Sequence, residues 1–294
     1  MSFEQSERAE VLSTQYSVLS TSPEGATNSS DLLRSISELP DHEVRRLLET
    51  STGRRWTELL LGVELTTEEV EAFHGLVERR RSGEPLQYIE GIVQFGPIEV
   101  TVDPRVLVPR PETEQLYEIA CDAVEDPLVI IDLCTGSGNL AMALKHTFPA
   151  ATIYATDVSP DAVNLASENA SEAGLDVTVL LGDLFDPLPD RLRGTVDLIV
   201  SNPPYLAEAE LADLPIDVRD HEPTMALVAG PVGDEILARI ADTVAEWLRP
   251  GGAVVCEISE FHGSAVADHF ASLGGEIRRD LSDKERFVIG AAPQ

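Results

Sequence analysis

The stretch L-V-I-I-D-L-C-T-G-S-G-N at residues 128–139 decides the fold of this chain. Its apolar start, Leu128 to Ile131, is typical of a short strand buried on both faces of a parallel sheet. The glycines at 136 and 138 predict a tight turn, and residues 140–146 predict the helix that follows it. A strand, a glycine turn and a helix in this order indicate the first part of a β-α-β unit.

Four more apolar runs repeat this pattern towards the C-terminus. They lie at residues 152–156, 177–181, 198–201 and 253–256. Ser159-Pro160 predicts a helix start after the first of these runs, because serine caps a helix and proline suits its first turn. Residues 234–248 predict a later helix. The alternation indicates an α/β fold, a Rossmann-like and mostly parallel sheet with helices on both faces.

The N-terminal third has a different character. Residues 1–30 are rich in Ser, Thr, Glu and Gln, and they predict a disordered tail. Residues 31–82 show the spacing of short amphipathic helices, with a capping residue at Thr66, and they predict a small helical bundle. Residues 83–110 alternate and predict a β-hairpin linker, so the sheet domain is expected to span 111–294.

Net charge and cysteine content exclude several classes of function for this chain. The formal net charge is -31, and only Lys145 and Lys284 among the 21 basic residues are lysines. A surface this acidic repels phosphate backbones, so we expect no direct binding of nucleic acid. Three scattered cysteines and six scattered histidines predict reduced thiols and no metal site. The polar N-terminus and the lack of an apolar run of about 20 residues predict a cytoplasmic protein without membrane contact.

Polar groups follow the predicted strands in order, as in nucleotide-binding sheets. The loop at 134–138 lets the backbone approach a ligand, and Asp157 is placed to accept both hydroxyls of a ribose. The loop has Ala141 where a phosphate-binding fingerprint has its third glycine, and it holds no lysine or arginine for a pyrophosphate. We therefore predict S-adenosylmethionine rather than NAD as the ligand. The residues predicted to bind it are Cys134, Thr135, Gly136, Ser137, Gly138, Asp157, Asp183, Leu184 and Asn202.

The fourth apolar run leads directly into Asn202-Pro203-Pro204-Tyr205. Neither proline has an N–H to continue a strand, so the turn holds the Asn202 side chain and the Pro203 carbonyl at the strand's carboxyl end. These two acceptors suit the two hydrogens of a planar –NH2 group, and the ring of Tyr205 can cover a flat amide or base. We predict chemistry on such a nitrogen, with Asn202, Pro203 and Tyr205 catalytic and Pro204 a further substrate contact.

Several motifs together resemble one family. They are G-E-P-L-Q-Y-I at 83–89, P-R-P-E-T-E at 109–114, the loop after Asp132, N-P-P-Y at 202–205 and V-R-D-H-E-P at 218–223. The chain resembles the protein-glutamine methyltransferases that modify peptide chain release factors, within the class I methyltransferase superfamily. The resemblance implies an antiparallel C-terminal strand, substrate recognition by residues 31–82, and methylation of the glutamine in a release factor's G-G-Q motif. Cys134 stands where this family usually has glycine.

Other functions stay open at this point. Enzymes that methylate a glutamine of a large-subunit ribosomal protein resemble the chain too, and N-P-P-Y also occurs in enzymes that methylate adenine in DNA or RNA. The net charge and the lack of a basic target-recognition domain argue against nucleic acid. A non-catalytic adenosine-binding protein is a further alternative, against which the intact Asn202 argues. We expect a monomer.

Overall fold

Residues 27–294 are described by the computed structural model, and they divide into two units after Ser82. Most of the predicted tail, residues 1–26, lies outside the described residues. Residues 27–30 of that predicted tail form a short strand and the start of a helix. None of the helices formed by residues 27–294 combines the length and the apolar character that crossing a membrane needs.

The first unit is mostly helical over its described part, residues 27–82, and helices were predicted for residues 31–82 of it. Its elements are β1 (Thr27–Asn28), α1 (Ser29–Ser35), α2 (Asp41–Thr52), α3 (Trp56–Leu59), β2 (Glu64–Leu65) and α4 (Thr67–Arg81). Strands β1 and β2 pair antiparallel, and Leu32, Leu47 and Phe73 are fully buried. The predicted cap at Thr66 is a capping box, because its side chain accepts from the Glu69 N–H while the Glu69 carboxylate accepts from the Thr66 N–H.

The second unit begins with a short helix, a hairpin and a longer helix. These are α5 (Leu86–Glu90), β3 (Ile92–Phe95), β4 (Ile98–Thr101) and α6 (Pro111–Asp122). The strands pair antiparallel, with Phe95 opposite Ile98. Phe95 and Val100 are buried in the same cluster as Leu116 of α6, so the hairpin packs on the core of this unit.

The rest of the second unit forms the sheet and its covering helices. Its elements are β5 (Val129–Leu133), α7 (Asn139–Thr147), β6 (Thr152–Asp157), α8 (Pro160–Glu172), β7 (Val177–Leu181), β8 (Val196–Ser201), β9 (Leu206–Ala207), α9 (Ile216–Arg219), β10 (Val228–Gly230), α10 (Glu235–Val244), β11 (Leu248–Glu257), α11 (Gly263–His269), β12 (Glu276–Arg279) and β13 (Glu285–Ala291). The seven-stranded sheet has the order β12-β13-β11-β8-β5-β6-β7. Strands β11, β8, β5, β6 and β7 are parallel, whereas β13 is antiparallel to both neighbours, so the predicted fold class is confirmed.

Apolar side chains cover both faces of the central strands. Neighbouring residues of a strand point to opposite faces, and Ile130 accordingly belongs to one buried cluster while Ile131 belongs to the other. Every residue of β8 is buried. This explains why the central strands appear in the sequence as unbroken apolar runs instead of alternating ones.

The predicted helix at 234–248 extends too far at its C-terminal end. Helix α10 ends at Val244, and Leu248 already pairs with Val196 as the first residue of β11. Trp247 is buried between the two elements and stacks on Phe185 with 5.4 Å between ring centroids. Apolar residues continue from the helix into the strand, so periodicity alone does not mark the boundary.

Candidate active site

The loop between β5 and α7 carries three positive φ angles within five residues. They are 59° at Cys134, 55° at Gly136 and 82° at Gly138. Glycine adopts such angles without steric cost, whereas a side chain makes them unfavourable, so Cys134 is the strained position. At Gly138 a Cβ would also lie 3.2 Å from the Cβ of Ala166. The backbone of this loop therefore has a positive φ at three positions, and glycine occupies two of them.

Asp132, the residue before Leu133 in β5, supports the loop from below. Its Oδ2 accepts from the Thr135 hydroxyl at 2.5 Å and from the Ala141 N–H at 3.2 Å. The side chain is fully buried, and Oδ1 makes no hydrogen bond to the described residues. Burial raises the pKa of this carboxyl to about 7, against the hydrogen bonds from Thr135 and Ala141, which lower it.

Asp157 closes the loop from the neighbouring strand. Its Oδ2 accepts from the Gly136 N–H at 3.0 Å, and its Oδ1 accepts from the Ser159 N–H at 2.9 Å. Burial raises the pKa of Asp157, and these backbone donors lower it. A carboxylate has about four lone-pair sites, so acceptor capacity remains for a ligand beside these backbone donors.

A cavity of about 480 Å³ lies above this loop, at the carboxyl ends of the parallel strands. The predicted residues that line it are Cys134, Thr135, Gly136, Ser137, Asp157, Asp183, Leu184, Asn202 and Pro204. The predicted residues Gly138, Pro203 and Tyr205 are not among the residues that line this cavity. The cavity is also lined by residues that were not predicted for the site, and these include 104–107, Pro109, Thr113, Met225, Ala226, Val228 and Ile236. Pro109 and Thr113 belong to the P-R-P-E-T-E motif that the sequence showed, but the motif alone did not show that they line the cavity.

Two arginines line the cavity, and both already face carboxylates. The Arg105 guanidinium donates to Asp103, with Nη2 and Oδ2 2.8 Å apart, and it also pairs with Glu168. The Arg239 guanidinium lies 2.6 Å from Asp183. Each arginine that borders this cavity thus has an acidic partner within the described residues, and a phosphate group would compete with those partners for them.

A chain of side-chain hydrogen bonds fixes the end of the cavity at β8. The Asn202 Nδ2 donates to Thr113 Oγ1 at 3.0 Å, and the Thr113 hydroxyl donates to Glu257 Oε2 at 2.8 Å. The Tyr205 phenol donates to the other carboxylate oxygen, Oε1, at 3.0 Å. Four residues from three separate segments are therefore connected through the buried Glu257.

The hydrogen bond from Tyr205 to Glu257 accounts for the position of the tyrosine ring. The ring is half-buried and packs against the apolar cluster that contains Ile131 and Trp247. Burial, together with the nearby Glu257 carboxylate, raises the pKa of the phenol well above its ordinary value. Tyr205 thus stays a hydrogen-bond donor over the physiological pH range.

The segment 104–109, most of which lines the cavity, is held in place by an ion pair and by hydrogen bonds. Arg110 Nη2 lies 2.5 Å from Glu222 Oε2, and the Val108 N–H donates to Glu222 Oε1 at 3.4 Å. The Tyr88 phenol donates to the Val106 carbonyl. Burial raises the pKa of Glu222 to about 7, and Arg110 opposes that shift. The segment 104–109 is therefore held in place by three of the motifs recognised in the sequence, those at 83–89, 109–114 and 218–223.

The cavity fits an adenosine ligand that carries a positive charge. Its volume lies in the range typical of small-molecule sites. Asp157 stands at the end of the second parallel strand, where a ribose hydroxyl is recognised in such sheets. Asp157 and Asp183 both line the cavity, so their carboxyl groups face a ligand bound there. These features fit S-adenosylmethionine, which is cationic at sulfur and has no phosphate.

Solved structures share this fold. The hMettl16 catalytic domain matches with a TM-score of 0.53 at 16% identity, over 80% of this chain and 86% of that chain. A 16S rRNA methyltransferase from T. thermophilus, solved with AdoMet and guanosine, matches with a TM-score of 0.52 at 17% identity, over 68% and 49%. A family model described as the methyltransferase small domain covers residues 121–215. The fold and the site thus define an S-adenosylmethionine-dependent methyltransferase of class I.

Relatives at higher identity give the family. A release factor glutamine methyltransferase of Deinococcus radiodurans is 40% identical over 256 residues, which is 85% of this chain and 90% of the relative. One from Mycolicibacterium smegmatis is 41% identical over 227 residues, 75% of this chain and 79% of the relative. The model of the PrmC N-terminal domain covers residues 27–91. The chain belongs to the family of release factor glutamine methyltransferases.

Proposed function

We propose that this protein transfers a methyl group from S-adenosylmethionine to the side-chain amide nitrogen of the glutamine in the G-G-Q motif of peptide chain release factors. The relatives that cover most of the chain carry that activity in their names. The observation that carries the proposal is the position of Asn202, which lines the same cavity as the glycine loop and Asp157. An amide-binding side chain and a cofactor loop therefore open into one space.

An amide nitrogen is a poor nucleophile because its lone pair is delocalised into the carbonyl. The cofactor supplies an activated methyl group on a positively charged sulfur. Asn202 Oδ1 and the Pro203 carbonyl would accept the two amide hydrogens and bear the positive charge that develops on the nitrogen. The proton can leave after the transfer, so no strong general base is needed. Stacking of the amide on Tyr205 stays a prediction, and the ring is anchored by its hydrogen bond to Glu257.

The remaining predicted residues would hold the cofactor. Asp157 would accept from the ribose, and the backbone of 134–138 would lie against the methionine portion. Asp183 and Leu184, at the end of β7, would border the adenine. Asp183 is paired with the Arg239 guanidinium at 2.6 Å, and both residues line the cavity.

A substrate assay tests the proposed function. The protein is incubated with methyl-labelled S-adenosylmethionine and, in separate reactions, with a release factor, the same factor with its G-G-Q glutamine changed to alanine, large-subunit ribosomal proteins, and duplex and single-stranded DNA. We expect label in the intact release factor alone. Label in a ribosomal protein or in DNA, with none in the release factor, would overturn the substrate assignment. The net charge of -31 makes DNA the least favourable of these substrates.

We also propose that the helical unit, residues 31–82, recognises the protein substrate. The PrmC N-terminal domain model supports this, as do Leu60 and Leu61, which are 57% and 82% exposed at the end of α3. The double variant L60S/L61S should raise KM for the intact release factor about tenfold, a loss typical of apolar contact residues. KM for a short glutamine peptide should not change.

A leucine elsewhere on the surface is the matched control. Leu128 is 69% exposed and directly precedes β5, at the amino ends of the parallel strands, whereas the cavity lies at their carboxyl ends. L128S should leave both KM values unchanged. Equal losses on protein and peptide in L60S/L61S would show that these leucines serve the structure instead of recognition. The predicted monomer is checked separately by light scattering, where the mass of one chain is expected.

A further inference from the structure

Glu257 is a buried acidic residue that the proposed reaction does not use. It is the last residue of β11 and is 1% exposed. Its two carboxylate oxygens accept from two hydroxyl groups, those of Thr113 and Tyr205, at 2.8 and 3.0 Å. A buried carboxylate is costly unless donors surround it. The two donors make this position tolerable for a charge, and one of them contacts Asn202.

The Thr113 hydroxyl has only one hydrogen to give. Thr113 is 2% exposed and lies in the first turn of α6. Because its hydrogen goes to Glu257, its oxygen can only accept from Asn202, whose Nδ2 lies 3.0 Å away. The NH2 end of the Asn202 amide is thereby fixed against Thr113. Oδ1 is the end that remains for a ligand in the cavity that Asn202 lines.

We propose that Thr113 and Glu257 are positioning residues that hold the Asn202 amide in one of its two orientations, with Oδ1 presented to the substrate amide. The inference rests on the proposed function, because it concerns which end of Asn202 meets the substrate. A rotation of the amide by half a turn would bring Oδ1 against Thr113 Oγ1. Two oxygens would then face each other with no hydrogen between them, as long as Glu257 holds the threonine hydrogen.

The charge on Glu257 is what keeps the threonine hydrogen in place. A protonated Glu257 can donate to Thr113 Oγ1 itself, which frees the threonine hydrogen for Asn202 Oδ1 and allows the reversed amide. Burial raises the pKa of Glu257 to about 7, Arg286 lowers it, and Glu112 raises it. Arg286 is itself paired with Asp280 at 3.2 Å. Since the pKa is raised, the neutral form grows as the pH falls through about 7, and correct positioning is lost in that direction.

Two substitutions at Thr113 separate the hydroxyl from the shape of the side chain. T113V keeps the size and removes the hydroxyl, whereas T113S keeps the hydroxyl. We expect kcat of T113V on the release factor to fall about 10- to 100-fold, the scale seen when a partner that orients an active-site group is removed. The dissociation constant for S-adenosylmethionine, measured by calorimetry, should stay within about twofold, which also shows that the variant is folded. T113S should recover most of the rate.

A threonine outside the cavity controls for the substitution itself. The Thr147 hydroxyl contacts the Tyr117 hydroxyl at 2.6 Å, and Thr147 does not line the described cavity. T147V should leave kcat unchanged. A loss in T147V equal to that in T113V would overturn the inference, because it would show that losing any such hydroxyl slows the enzyme.

The pH dependence of the reaction rate distinguishes a positioning role of Glu257 from a merely structural one. We expect the ratio of the wild-type rate to the rate of E257Q to be largest near pH 8 and to shrink as the pH falls to 6. The double variant T113V/E257Q should be no slower than T113V, since both changes act through one chain of hydrogen bonds. A ratio that is constant with pH, together with additive losses, would overturn the role of Glu257.

The rates of N202A and T113V distinguish a failure of this inference from a failure of the proposed function. If N202A is inactive while T113V works at the wild-type rate, the amide of Asn202 is needed but Thr113 does not orient it. A T113S variant as slow as T113V would also overturn the inference. If N202A itself works at the wild-type rate, the proposed use of Asn202 in the reaction is wrong.

Discussion

The two ends of the cavity are held together in different ways. At the cofactor end, Asp157 accepts from backbone N–H groups of Gly136 and Ser159, which are 21 and two residues away along the chain. At the β8 end, the bonds join side chains that are far apart in sequence. Asn202 and Thr113 are separated by 89 residues, and Thr113 and Glu257 by 144.

This difference affects how each end responds to substitution. Backbone donors at the loop belong to the strand-turn-helix path. We therefore expect loss of the Asp157 carboxylate to remove the proposed ribose contact and one hydrogen bond to the loop, at Gly136, without redirecting a second side chain. The side-chain network around Asn202 has no such support, and each member depends on its neighbour's hydrogen-bond direction. We expect changes at the loop to affect cofactor binding, and changes at Asn202 to affect turnover.

The largest expected effect is at Asn202. On the proposed mechanism, N202A removes the acceptor that matters most as positive charge builds on the substrate nitrogen, so kcat on the release factor should fall about 10²–10³-fold. The affinity for S-adenosylmethionine should change little. Single-turnover kinetics and calorimetry measure the two quantities. A parallel loss of cofactor affinity would break the proposed separation between the two ends.

Asn202→Asp tests the direction of the amide. It keeps the shape and the acceptors but puts an oxygen where Nδ2 donates to Thr113. Because the Thr113 hydrogen is already given to Glu257, we expect N202D to be at least about tenfold slower than wild type, between wild type and N202A. The same single-turnover assay on the release factor measures it. A rate for N202D equal to that of wild type would show that the donor end of Asn202 is unimportant.

Asp157 is the corresponding position at the cofactor end. D157A should weaken binding of S-adenosylmethionine by about 1.5–3 kcal/mol, the scale of hydrogen bonds to a charged group. D157N retains one acceptor and should lose less. Calorimetry measures both, with kcat at saturating cofactor as the control that should move little. Unchanged affinity in D157A would remove Asp157 from the ribose site.

Cys134 should give the smallest effect. Its φ of 59° is unfavourable for a residue with a Cβ. C134G relieves that strain but adds freedom to the unfolded chain, so we expect a gain in the free energy of unfolding of up to about 1 kcal/mol. C134A keeps the Cβ and should not gain. Urea unfolding compares the two, and equal stabilities would show that the loop accommodates the cysteine without strain.

The sequence revealed much of the cofactor end. Buried parallel strands appear as apolar runs, and ligand groups at their carboxyl ends follow directly in the chain, so Asp157, Asp183 and the 134–138 loop were found in order. The presence of residues 134–137, Asp157 and Asp183 around one cavity agrees with that prediction, while their contacts with the cofactor stay predictions. Asn202 was found the same way, because prolines end its strand abruptly.

What surrounds Asn202 depended on the tertiary structure. Thr113 was part of a recognised motif, and Glu257 directly follows the apolar run at 253–256, but nothing in their spacing shows that they touch. The boundary between α10 and β11 and the hairpin's place on the sheet core were likewise settled by packing. Local patterns specify strands, turns and the groups at their ends, because these depend on neighbouring residues. A hydrogen bond across 144 residues depends on how the whole sheet is ordered, and only the folded chain decides it.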